Sequence, residues 1–299
     1  MSPDRRESRR QPRSGAVFKG RSVPTGRWRL RGWSWMLAPA LGFFLAFWLL
    51  PFVRLIAMGA GPDNNTGIAG YWMVLTHEQY LSSLMSTLLL SIAVSVSAVL
   101  IAGFCGYFLA RHQFPGKSWL LSMLTFPLAF PGVVVGFLVI MLGGRQGALA
   151  QLSLWATGER WTFAYSLTGL FVGYLYFSIP RVIMTVMAAC EKMDASLEEA
   201  ARSLGANTRQ VVVDVIIPAI RPALISTGAI CFATSMGAFG TVFTLGTRIN
   251  VVPIAIYGEF TNYANFAMAA ALSVILGLVT WISLFFARRL SGEYVGGGA

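Results

Sequence analysis

The sequence predicts an all-α, polytopic membrane protein with six transmembrane helices and both termini on the cytoplasmic side. Three observations predict it. Of 299 residues, 56% are hydrophobic and 12% charged, and the mean hydropathy is +0.64; a soluble domain carries about 25% charged residues. Six apolar runs are each long enough to cross a hydrocarbon core of about 30 Å at about 1.5 Å per residue. Most Lys and Arg residues fall into alternate loops, which sets the orientation.

The elements follow in order. Residues 1–32 hold ten of the 23 Lys and Arg and no apolar run. Such a segment cannot bury a core and is read as a disordered cytoplasmic tail that contacts lipid headgroups. The run 33–58 is too long for the apolar part of a signal peptide and lacks a small-residue exit, so it is a retained first helix. Trp33, Trp35 and Trp48 suit interfacial or lipid-facing positions. Further spans are expected at 84–110, 118–142, 164–189, 222–246 and 264–287. Pro180-Arg181, inside the fourth, is a place for a kink or an early exit from the bilayer.

Small and hydroxyl residues in the second span (Thr87, Ser91, Ser95, Ala98, Ala102, Gly106) form one helical stripe. Gly132 and Gly136, and Gly169 and Gly173, are small-xxx-small pairs. In lipid, helices associate by close packing at such residues. The stripe fits packing within the chain, an interface with a second membrane subunit, or both.

Eighteen of the 23 Lys and Arg lie in the N-terminal tail, the 111–117 and 190–221 loops and the C-terminal end. Only Arg145, Arg160 and Arg248 lie in the opposite loops. The positive-inside rule therefore places both termini and the long 190–221 loop in the cytoplasm. The formal net charge of +11 reads as orientation and headgroup contact rather than nucleic-acid binding. Arg54 is near the outer end of the first span, where it can snorkel. Cys105, Cys190 and Cys231 are isolated in apolar surroundings and suggest no disulfide framework.

Catalytic chemistry is not visible. No G-x-x-x-x-G-K-[ST] phosphate loop occurs, so ATP hydrolysis is not expected in this chain. His77 and His112 fall in loops on opposite faces, and no metal cluster or nucleophile–base pair stands out.

The 190–221 loop is a polar, helix-prone interruption. Asp194 or Ser196 can start a helix, and Ser196-x-x-Glu199 fits a capping box. Leu197, Ala200, Ala201 and Leu204 form an apolar stripe, with Glu198, Glu199 and Arg202 standing off it. Gly205 follows where a left-handed cap is expected. A second helical run starts at Asn207 or Thr208 and is interrupted by Pro218 before the fifth span. Such an exposed amphipathic helix suits a partner's groove; two adjacent Glu residues and a narrow stripe disfavour insertion beside an anionic leaflet.

Glu199-Ala200-Ala201, then Gly205, then Val215-x-Ile217-Pro218 resembles the EAA loop of the membrane subunits of binding-protein-dependent ABC importers of type I fold. The resemblance spans about residues 82–288, including Gly106-Tyr107-Phe108-Leu109-Ala110-Arg111. Val215 stands where the family usually has Ile, and the basic tail is outside the family core. The resemblance implies a non-catalytic permease subunit of the bacterial inner membrane. It implies two cytoplasmic ATP-binding subunits that bind ATP and Mg, a second permease subunit (homologous rather than identical), and an extracytoplasmic solute-binding protein. Glu198, Glu199, Ala200, Ala201, Arg202, Leu204 and Gly205 would face the ATPase, with Glu199 making a charged contact or fixing the helix start and Gly205 making the turn.

On the outer side, Tyr257, Glu259, Asn262 and Asn265 supply polar groups for a substrate path, or pack a re-entrant loop. The pattern resembles most the permeases that handle polyamines, with phosphonate, sulfate and iron(III) importers as relatives. An ion-coupled secondary carrier is the alternative; it predicts paired ionisable groups at mid-membrane, and the sequence shows none. A membrane-embedded enzyme would need a catalytic constellation that the sequence does not display.

Overall fold

The computed structural model describes residues 34–61, 68–194, 196–246 and 249–291. The basic tail expected to be disordered lies outside these residues. By internal contacts the chain divides after Leu50. Six helical stretches are long and apolar enough to cross a membrane: Leu37–Gly59, Glu78–Arg111, Gly132–Thr157, Leu167–Lys192, Thr208–Met236 and Phe266–Ser291. The described residues contain no strand.

The first helix, α1 (Leu37–Gly59), is apolar apart from Arg54, with Phe43 stacked on Phe47 and Phe44 on Trp48. It widens into a π-helical turn at Leu45–Leu49, two residues before Pro51. A short helix α2 (Ala69–Thr76) then leads into α3 (Glu78–Arg111), the longest element at 34 residues, about 50 Å at about 1.5 Å per residue.

The third expected span, 118–142, is not one helix. α4 (Lys117–Thr125) tightens into a 3₁₀ turn at Phe126–Ala129, breaks at Phe130, and restarts as α5 (Gly132–Gly143). Pro131 causes the break: its ring pushes Phe130 into the extended region (ψ 132°). A turn at residues 144–147 then leads to α6 (Ala148–Thr157). The fourth span behaves oppositely. α7 (Leu167–Lys192) passes Pro180 without a break.

The hairpin helix α8 (Ser196–Ser203) precedes α9 (Thr208–Met236). Pro218 does not interrupt α9 as expected. A π-helical segment, Val211–Ile216, again ends two residues before the proline. A proline ring collides with the carbonyl four residues back in a regular helix, and a widened turn moves that carbonyl aside. The fifth expected span, 222–246, ends earlier than predicted: α9 stops at Met236, and a short helix α10 (Phe239–Leu245) follows the break at Gly237. α11 (Val252–Thr261) and α12 (Phe266–Ser291) complete the chain.

The small-residue stripe is used inside the chain. Thr87, Ser91, Ala98 and Ala102 are at most 2% exposed. At Gly106 the backbone of α3 meets α7 so closely that a Cβ would lie 3.0 Å from Ile183 O and from Val186 Cβ. Ser95 Oγ donates to Gly228 O of α9 at 2.6 Å. Gly136 packs on α10, where a Cβ would stand 2.6 Å from Thr244 Cβ. Leu109, Val186, Val211, Ile216 and Ile220 form the core at the hairpin end of α3, α7 and α9. Large apolar side chains such as Leu100, Phe104 and Phe137 point outward, as lipid requires of helices whose backbone groups are bonded internally.

Candidate functional site

The hairpin grows from the ends of α3, α7 and α9. The Asp194 carboxylate accepts the Ser196 N–H at 2.9 Å; that backbone bond, and then the Ser196 side chain, hold Asp194 below the usual carboxylate range. The reciprocal capping box forms at the second helix rather than at Ser196–Glu199. Asn207 Oδ1 accepts the Gln210 N–H, and Gln210 Oε1 accepts the Asn207 N–H, each at 2.9 Å. Between them α8 ends in a Schellman motif. Ala206 N–H donates to Ala201 O and Gly205 N–H to Arg202 O, both at 3.0 Å, with Gly205 at φ +88°.

The faces of α8 differ from those read in the sequence. Glu198, expected from the sequence to face a partner with its neighbours, turns inward. Its carboxylate pairs with the Arg111 guanidinium at the end of α3, and the Tyr107 hydroxyl donates to Glu198 Oε2 at 3.5 Å. Glu198 is 14% exposed and Arg111 21%. Ala201 and Ala206 also face inward, against the core of α3, α7 and α9. Glu199, Ala200, Arg202, Leu204 and Gly205 are exposed. Leu197 and Leu204 are 51% and 89% exposed, so with Ala200 the apolar stripe looks away from the body.

At the opposite end of α3 lies a cavity of about 270 Å³, bounded by Gln79, Tyr80, Asn250, Tyr257, Glu259 and Asn262. Glu259 is 8% exposed and accepts a hydrogen bond from the Tyr80 hydroxyl at 2.7 Å. Tyr257 packs on Phe239 and Phe243 of α10. Asn265 does not line this cavity. Its N–H donates to Glu259 O at 2.8 Å, and its side chain accepts Met268 N–H at 3.2 Å, starting α12. So the structure brings Tyr257, Glu259 and Asn262 together and leaves Asn265 to the backbone. Sequence reasoning missed Tyr80 and Arg111. Tyr80 is distant in the chain from Glu259, and Arg111 carried only an orientation signal.

The arrangement is a chain with six helical stretches long enough to span a membrane, an exposed helical hairpin at one end of α3 and a cavity at the other. Residues 98–292 match the family described as binding-protein-dependent transport system inner membrane component, and the chain belongs to that family. It is 33% identical over 237 residues to the molybdenum transport system permease protein ModB of Escherichia coli, covering 75% of this chain and 100% of that one. It is 30% identical over 275 residues to sulfate permease 2, chloroplastic, of Chlamydomonas reinhardtii, covering 90% of this chain and 72% of that one. A subunit in the crystal structure of a bacterial alginate ABC transporter with its periplasmic protein shares the fold, with TM-score 0.73 at 18% identity over 91% of this chain and 97% of that one. The chain is thus a multi-pass inner-membrane permease subunit of an ABC importer for a small solute, and it is non-catalytic, with ATP hydrolysis in a separate chain. Importers of this kind work with ATPase subunits and a binding protein.

Proposed function

We propose that the chain is the permease subunit of an ATP-driven importer for a small tetrahedral oxyanion of the sulfate or molybdate kind. The names of the relatives support that class and lend no support to the polyamine preference read from the sequence. The observation that carries the docking role is the outward apolar face of α8, with Leu204 89% exposed in an otherwise polar hairpin. Leu197, Ala200 and Leu204 enter a groove of an ATP-binding subunit, Glu199 and Arg202 make polar contacts at its rim, and Gly205 keeps the turn. Two such subunits bind ATP and Mg, and a second, homologous permease subunit completes the membrane part. An external binding protein delivers the solute, and the spans alternate access as the ATPase closes.

One observation favours the polyamine reading: Glu259 offers a carboxylate at the outer cavity, which suits an ammonium. Uptake decides between them. The chain, purified with its co-purifying subunits and binding protein in proteoliposomes, is expected to take up labelled sulfate or molybdate in an ATP-dependent manner. Uptake of spermidine alone would reverse the substrate assignment. Uptake that persists without ATP but collapses with an ion gradient would reverse the importer mechanism.

A further inference from the structure

Arg181 sits where a bilayer least tolerates charge. In the unbroken α7 it lies about 20 Å from Leu167 and about 16 Å from Lys192 at about 1.5 Å per residue. It therefore cannot snorkel as Arg54 can near the Gly59 end of α1. A charge at this depth persists when it pairs, faces a water-filled path, or meets a ligand.

Its hydrogen-bond partner is a hydroxyl. Arg181 Nη1 donates to Thr234 Oγ1 of α9 at 3.2 Å. Thr234 directs its own proton to the backbone, within 2.9 Å of Ile230 O. Among the described residues no carboxylate pairs with Arg181; the ion pair found is Arg111–Glu198. Two more hydroxyls stand nearby in sequence. Ser178, one turn before Arg181, is fully buried, and Ser235, next to Thr234, is 1% exposed. Ser235 Oγ has no hydrogen-bond partner, and Ser178 Oγ faces the Cys231 thiol rather than a carbonyl of its own helix. Cys231, one turn before Thr234, lies beside both Arg181 and Ser178.

A buried helical hydroxyl usually donates to the carbonyl one turn back. Ser273, Thr280 and Ser283 of α12 do so; Ser178 and Ser235 do not. A guanidinium with no carboxylate, with the buried Ser178 hydroxyl one turn away and bonded to no carbonyl, is a set of donors short of an acceptor.

We propose that Arg181, with the hydroxyls of Ser178 and Thr234, forms a transient mid-membrane site for an oxyanion in transit. This rests on the oxyanion reading and deepens it. A guanidinium presents parallel N–H groups to two oxygens of one anion, and the hydroxyls add donors without further charge. A single positive charge holds the ion weakly enough for release, as conduction requires. The same charge repels a polyamine, which sets this site against the second reading.

The test uses the assembled transporter, full chain and co-purifying subunits, in proteoliposomes with labelled sulfate, molybdate and spermidine. Arg181→Met is expected to lower oxyanion uptake about tenfold or more, the scale of a charge-assisted hydrogen bond. Arg181→Lys, which keeps the charge and loses the fork, recovers part of it. Retention of the ATP-binding and second permease subunits stays as in the wild type. Should Arg181→Met fail to fold, Thr234→Val carries the test, with an expected loss of about threefold. Unchanged oxyanion uptake in these variants overturns the site and leaves the oxyanion function standing. Loss of the second permease subunit from Arg181→Met would make Arg181 a subunit contact and also overturns it. Uptake of spermidine and neither oxyanion by the wild type overturns the oxyanion reading itself.

Discussion

The Arg111 guanidinium, at the last turn of α3, pairs with the carboxylate of Glu198 in the hairpin helix α8. The pair ties the exposed helix to the longest span of the chain, so α8 is held by a charge contact as well as by Ala201 and Ala206 packed beneath it. Movement of α8 is thereby linked to α3 directly, beside the covalent links to α7 and α9.

Removing one partner should be worse than exchanging the two. Glu198→Ala leaves a mostly buried guanidinium without its carboxylate and is expected to cost about 1–3 kcal/mol. The swapped double variant Arg111→Glu/Glu198→Arg should recover part of that. Thermal unfolding of the purified chain in detergent, run as a double-mutant cycle, measures the coupling. A coupling near zero would show that the pair does not anchor α8.

Leu204→Asp separates docking from folding. The side chain is 89% exposed, so unfolding should move by no more than about 0.5 kcal/mol. Co-purification of an ATP-binding subunit should fall sharply. Retention of that subunit at wild-type level would remove α8 as the docking element.

Gly205 holds φ +88° with nothing within 4 Å of a would-be Cβ. The penalty for substitution is therefore backbone strain rather than crowding, about 1–2 kcal/mol for Ala. Asn, which tolerates this region better, should cost less than Ala, and Val should cost most. Amide hydrogen exchange in residues 201–206, where the Schellman bonds lie, reads the loosening.

Gly136 and Gly258 form a contrasting pair. Ala at 136 would meet Thr244 Cβ at 2.6 Å and Thr241 O at 2.9 Å, prising α5 from α10 at a cost of about 1–3 kcal/mol. Ala at 258 meets nothing within 4 Å, and inside α11 it should stabilise by about 0.5–1 kcal/mol. Opposite shifts in melting temperature are the expected result.

Tyr80→Phe removes the hydroxyl that donates to the buried Glu259. The stranded carboxylate should cost about 1–3 kcal/mol. Glu259→Gln, which keeps an acceptor for Tyr80 without the charge, should cost less. If both variants melt with the wild type, the bond does not hold α11 against α3.

The membrane class, the number of crossings and the hairpin were legible because each rests on a local signal. Apolar runs of bilayer length, a helix pattern closed by Gly205, and Lys and Arg in alternate loops need no knowledge of distant contacts. Element ends were less legible where proline acts. Pro131 breaks its helix, whereas Pro180 and Pro218 do not. The difference lies in how the backbone before each ring relaxes, which packing governs.

The sequence by itself determined that this chain has six spans of membrane length and an exposed, EAA-like helix between the fourth and fifth. Hydrophobic length and charge placement are additive along the chain, so they can be read without a fold. Only the tertiary structure decided which of two adjacent carboxylates is free: Glu199 faces out, while Glu198 is taken by Arg111. It also set Tyr80 against Glu259 and Arg181 against Thr234. Those pairings join residues far apart in the chain, and the crossing and rotation of packed helices, which no single segment encodes, bring them within reach.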